Sequence, residues 1–232
     1  MSKPKNENAG VIVDDAPTLQ PETETSTELA KPAASFTDGF VLSFADLDPP
    51  ILNVVQKTSE IKAETGSITA DKNYVLVEPE GETAAIVLAA IKSWVEDIPY
   101  DEDKQAKTAA TQEDAIILAR ESDYEVVESA KLILLIPQPA GNENDDAYPY
   151  PIGGTNYALG RLYVRKGAYR STYGRIANWK LFNPDKPLSS VLWKLKSQKE
   201  VKGKYTFFAP ALAATTATPS PEVAAFLAKL GA

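Results

Sequence analysis

The sequence predicts a β-rich α+β fold, with an OB-like barrel or sandwich at its core, a short C-terminal helix and a disordered N-terminal arm. Three observations lead there. Runs such as Asn73–Glu78, Lys131–Ile136 and Asn156–Lys166 are strand-like, the last alternating in the two-residue period. Ser189–Lys196 and Tyr205–Leu212 flank Gln198–Lys204, which predicts a hairpin with Gly203 in the bend. Ser220-Pro221-Glu222 supplies an N-cap, a first-turn proline and a first-turn acid for a closing helix.

Along the chain, residues 1–34 are rich in Ser, Thr, Pro, Glu and Ala, and have too little apolar surface to offset the entropy of ordering. A single β-rich domain is expected over 35–232. It opens on Phe36, Phe40, Val41, Leu42, Phe44 and Leu47, and Asp48-Pro49-Pro50 then interrupts any regular element. Thr83–Val95 follows the Pro79-Glu80-Gly81 turn. Its alanines suit a helix and its Ile86, Val87, Ile91, Trp94 and Val95 suit a strand, so periodicity leaves it open. Thr111-Gln112-Glu113-Asp114 has the form of a capping box and predicts a short helix over Ala115–Arg120. Tyr124–Ser129 and Lys131–Ile136 are β-type runs, the second apolar enough for a central strand. A polar loop spans Pro137–Pro151, and Gly153-Gly154 makes a turn. Ala168–Ile176 is ambiguous, although Tyr169, Thr172, Tyr173 and Ile176 match helical spacing. The C-terminal helix, over 220–231, aligns Val223, Phe226, Leu227 and Leu230 on one face.

The composition narrows the chemistry. The 232 residues include no cysteine and no histidine, which excludes disulfides, thiolate nucleophiles, Cys or His zinc sites and imidazole catalysis. A binding protein without a cofactor is expected rather than an enzyme. The acidic clusters Asp101-Glu102-Asp103 and Asp145-Asp146 match no EF-hand loop and read as solvated charge, so no metal is expected. No apolar run is long enough for a membrane span, and the first residues lack the apolar stretch of a secretory signal. The chain reads as soluble and cytoplasmic.

The net charge of -8 conceals a division. Residues 161–232 carry 13 Lys and Arg against three acids, while residues 1–160 carry 11 against 29. Ten of the twenty aromatics fall within 157–208. Alternation along Tyr157–Lys166 places Tyr157, Leu159, Arg161, Tyr163 and Arg165 on one face and Ala158, Gly160, Leu162, Val164 and Lys166 on the other. Tyr169, Arg170, Tyr173 and Arg175 follow, then Trp193, Lys194 and Lys196, and Lys199, Lys202 and Lys204 make the hairpin tip basic. Single-stranded nucleic acid needs this pairing of residue types, because cations track the phosphates while flat rings stack on unpaired bases. Arg161, Arg165, Arg170, Arg175, Lys194 and Lys196 are the candidate phosphate contacts. Tyr163, Tyr169, Tyr173 and Trp193 are the candidate stacking rings. Tyr and Trp also enrich strands for packing alone, and alternation does not say which of these rings are core.

The segment from Asp145 to Gly160, with its Tyr148-Pro149-Tyr150-Pro151-Ile152-Gly153-Gly154 run, followed by Lys166-Gly167-Ala168-Tyr169-Arg170, resembles bacteriophage early proteins. Bacteriophage single-stranded DNA-binding proteins are the nearest functional class. The resemblance implies an OB-fold, a role in DNA replication, single-stranded DNA or RNA as partner, and the cytoplasm of the host cell. Many such proteins end in an acidic recruiting tail, whereas this sequence places its acidic segment first. The alternative expectation is a virion or assembly protein, a homo-oligomer whose N-terminal arm docks on neighbouring subunits.

Overall fold

A computed structural model describes residues 48–99, 101–142 and 144–229. The arm expected over 1–34, the apolar run from Phe36 to Leu47 and Leu230 lie outside them. Ten strands and four α-helices are present among the described residues. The strands are β1 (Leu52–Val54), β2 (Ile68–Ala70), β3 (Tyr74–Val77), β4 (Glu82–Glu96), β5 (Thr108–Ala109), β6 (Val126–Pro137), β7 (Tyr150–Ile152), β8 (Thr155–Arg165), β9 (Trp193–Lys202) and β10 (Tyr205–Ala214). The helices are α1 (Gln112–Glu121), α2 (Lys166–Ser171), α3 (Tyr173–Phe182) and α4 (Pro221–Lys229).

The strand β4 organises the larger sheet. The ambiguous run from Thr83 to Val95 is extended throughout, because both of its edges find partners. One edge pairs with β6 from Ile86 to Glu96, and the other takes β9 at Glu82–Ala85 and β5 at Trp94–Val95. The order is β10-β9-β4-β6-β8-β7, with antiparallel neighbours, and β1-β2-β3 form a second, smaller sheet. Neither sheet closes on itself among the described residues, so the fold is β-rich with open sheets and the expected barrel closure is not seen. The two β-type runs at Tyr124–Ser129 and Lys131–Ile136 merge into β6, which is central as expected.

The main core lies on one face of the large sheet. Leu132, Leu134 and Ile136 of β6 and Leu162 and Val164 of β8 meet Leu52, Ile68, Leu76 and Val77 of the small sheet, together with Tyr169 and Ile176 of α2 and α3. β1 comes so close to β8 that a Cβ on Gly160 would fall 2.5 Å from Leu52 Cδ2. The opposite face carries Ile86, Leu135 and Tyr157, which α4 covers with Val223 and Leu227. Alternation explains the split, since odd positions of β8 and the even positions Ile86 and Leu88 of β4 point away from the main core, and the bulge between Val87 and Ala89 returns Ala90 to it. Phe226 lies on the expected apolar face of α4 yet stays 40% exposed, so the buried stripe is narrower than the sequence pattern.

Local chemistry sets the helix ends. Thr111 Oγ1 accepts from the Asp114 amide at 3.1 Å, which is the N-cap half of the capping box, and its hydroxyl donates to Asp114 Oδ2 at 2.8 Å in place of the reciprocal backbone bond. α2 and α3 replace the ambiguous run at Ala168–Ile176. They break at Thr172, with φ -118° and ψ -83°, whose hydroxyl bonds back to the Ala168 carbonyl. Tyr169, Thr172 and Ile176 are buried and Tyr173 is half-buried, so the helical spacing marks an inward face. Gly203 turns the β9–β10 hairpin with φ +61°. No helix among the described residues is long and apolar enough to cross a membrane.

Candidate nucleic-acid interface

The basic, aromatic segment divides when it folds, because packing takes most of its rings. Trp193 is fully buried in β9, meets Trp179 edge-on at 5.7 Å and donates from Nε1 to the Leu188 carbonyl. Tyr169 is 8% exposed and stacks on Tyr173, with ring centroids 5.0 Å apart. Burial, and then the carboxylate of Glu128, raise the Tyr169 hydroxyl above the ordinary tyrosine pKa. Trp193 and Tyr169 are therefore core residues in this conformation, and Tyr173 is half-buried against them. Of the four candidate stacking rings only Tyr163 stands clear, at 57% exposure on β8.

The six candidate cations fall into three groups. Arg161 is largely covered. Its guanidinium is ion-paired with Asp48 and lies 5.8 Å from the Tyr163 ring centroid. Its Nε is buried without a partner. Arg165, at the end of β8, approaches Asp97 at 3.6 Å, and the neighbouring Lys166 is ion-paired with the same carboxylate. Lys166 has φ +54°, a left-handed conformation that turns the chain from strand into α2.

The remaining four cations converge. Lys194 and Lys196 project from the side of β9 opposite buried Trp193 and Leu195. Each faces an alanine of the outer strand, Lys194 opposite Ala213 and Lys196 opposite Ala211. Beyond β10 lie α2 and α3, held there by Ser171 Oγ donating to the Pro210 carbonyl at 2.8 Å. A cleft of about 510 Å³ follows, lined by Ser171, Arg175 and Asn178 from the helices, the two lysines and Gln198 of β9, and the run from Ala211 to Ala214 of β10. A second cleft of about 510 Å³ shares Ser171, Arg175 and Asn178 and adds Arg170 and Glu200. A third of about 600 Å³ adjoins it through Gly167, Tyr169 and Arg170, and carries Lys166 with Glu125 and Glu128. Arg170 and Arg175 are exposed and have no ion-pair partner among the described residues.

One carboxylate pairs directly with both lysines. Glu82 pairs in register with Lys196, and accepts from Lys194 Nζ at 2.7 Å and from Lys196 Nζ at 2.6 Å. Those two hydrogen bonds hold its pKa down to about 2. Ser171, Asn178 and Glu82 had no individual mark in the sequence. Glu82 is 112 residues from Lys194, and only the β4–β9 register brings them together.

Comparisons with protein-family models, with curated proteins and with solved structures find no match to this chain.

Proposed function

We propose that the protein binds single-stranded DNA without strong sequence preference, with the clefts beside β10 guiding the phosphate backbone. One observation carries the reading. Arg170, Arg175, Lys194 and Lys196 come from three separate elements yet line two clefts with a common wall. Cations spaced along a groove neutralise successive phosphates and release their counterions, which gives affinity without reading sequence. The alanines of β10 leave room for a backbone to approach. Tyr163, between Arg161 and Arg165 on β8, supplies the exposed ring on which a base can stack. An OB-type working face of strands and basic elements is retained in this reading without requiring a closed barrel. RNA offers the same phosphates and is distinguished by titrating oligo-dT against oligo-rU.

Reversing two cations tests the proposal. The double variant Arg170→Glu, Arg175→Glu changes exposed side chains and leaves the core alone. It is expected to lose retardation of a labelled oligo-dT at low salt while keeping the wild-type circular dichroism. Undiminished binding by the folded variant would refute the assignment.

A second reading, assembly, is favoured by Leu181 and Phe182, which end α3 at 73% and 82% exposure. Large apolar side chains left side by side in water mark contact surfaces more often than chance. Sedimentation of the full chain is expected to show oligomers that Leu181→Ser, Phe182→Ser dissociates. A monomer at all concentrations would count against it.

A further inference from the structure

We infer that Lys194 and Lys196 form the anchoring phosphate subsite of this surface, and that Glu82 is a built-in competitor which an incoming phosphate must displace. The inference rests on the nucleic-acid reading above and adds the residue that sets its affinity. The geometry is that of an occupied anion site. One carboxylate takes a separate hydrogen bond from each lysine, through different oxygens, at 2.7 and 2.6 Å. A non-bridging pair of phosphate oxygens presents the same two acceptors, and charge-assisted bonds of this kind are the strong ones.

Three features favour exchange over a permanent pair. All three side chains are about half exposed, at 43% for Glu82, 51% for Lys194 and 45% for Lys196, so solvent screens the interaction and a replacement anion can enter. The lysines line a cleft with room beyond them, and Arg175 borders the same space. A phosphodiester would therefore gain a third cation that is not an ion-pair partner of Glu82. Glu82 lies at the start of β4, where its backbone is held by pairing with Lys196, so its side chain can swing away without disturbing the sheet. Its depressed pKa keeps the competitor ionised throughout the neutral range.

The test compares Glu82→Gln with Glu121→Gln, an exposed change on α1 that alters the net charge equally. Each full-length protein is titrated with fluorescein-labelled oligo-dT and, separately, with inorganic tripolyphosphate. Removing two screened ion pairs is expected to tighten oligo-dT binding by about fivefold in Glu82→Gln, against less than about twofold in the control. Adding Lys194→Ala and Lys196→Ala to Glu82→Gln is expected to abolish the gain. Equal effects of the two single variants would overturn the inference, while wild-type binding of oligo-dT would leave the nucleic-acid reading standing. A gain for tripolyphosphate without any oligo-dT binding would support the subsite and overturn the nucleic-acid reading. No binding of either probe by any variant at low salt would overturn both.

Discussion

The side-chain amide of Gln56 substitutes for a neighbouring strand at Phe208: its Nε2 donates to the Phe208 carbonyl at 2.7 Å and its Oε1 accepts the Phe208 amide at 3.0 Å. Phe208 belongs to the outermost strand of the large sheet, whose free edge would otherwise present unpaired donors and acceptors. Gln56 caps that edge from the loop between β1 and β2. The same loop is tied to β9 by Ser197, whose hydroxyl donates to the Gly66 carbonyl. Two contacts thus fasten the small sheet to the hairpin that carries the lysines.

Replacing Gln56 with Ala leaves both backbone groups of Phe208 without a protein partner. The expected cost is about 1–3 kcal/mol, read as a lower urea midpoint with an unchanged slope. Hydrogen exchange at the Phe208 amide should accelerate. Unchanged protection at Phe208 would show that water or another group serves the edge equally well.

Acid should loosen the far end of β4 through Glu96. This residue is 4% exposed, and its Oε2 accepts the Lys107 amide at 2.7 Å while its own amide donates to the Lys107 carbonyl at 3.1 Å. The hydrogen bond from Lys107, more than any other cause, lowers its pKa below the ordinary glutamate value of 4.5. A carboxylate whose pKa falls on folding stabilises the folded state above its unfolded pKa, and that contribution is lost as the pH drops through the folded one. Glu96→Gln is therefore expected to be less stable than wild type at pH 7, with the gap closing below about pH 4. Urea midpoints across that range measure it, and a gap that stays constant would contradict the assignment.

Much of this fold was legible in local chemistry. Thr111 with Asp114, Ser220 with Pro221 and Gly203 each act within a few residues, where cap and turn geometry is decided. Alternation along β8 separated Leu162 and Val164 from Tyr163 and Arg165 correctly, since a strand beside a core has only two faces. The run from Thr83 to Val95 was not legible, because its extended form depends on β6, β9 and β5, all distant in sequence. The candidate site was legible as a set of cations but not as an arrangement. Which rings would be buried depended on contacts such as Trp179 with Trp193 and Tyr169 with Tyr173. The approach of Arg175 to Lys194 and Lys196 depended on how α2 and α3 lie against β10.

Stacking should rest on Tyr163 rather than on the tryptophans. Tyr163→Ala is expected to weaken oligo-dT binding by about 1–3 kcal/mol, the usual range for one stacked base. Trp193 is fully buried, so its emission should change little on titration. Strong tryptophan quenching with no loss in Tyr163→Ala would place the bases elsewhere.

The salt dependence of oligo-dT binding tests the central claim most directly. Four phosphates neutralised by Arg170, Arg175, Lys194 and Lys196 predict a slope of about -3 for log K against log salt concentration, at roughly -0.7 per contact on a single strand. Fluorescence anisotropy between low and physiological salt should give that slope, and it should flatten by about 0.7 for each of these cations replaced. A slope near zero, or no binding at low salt, would contradict the account.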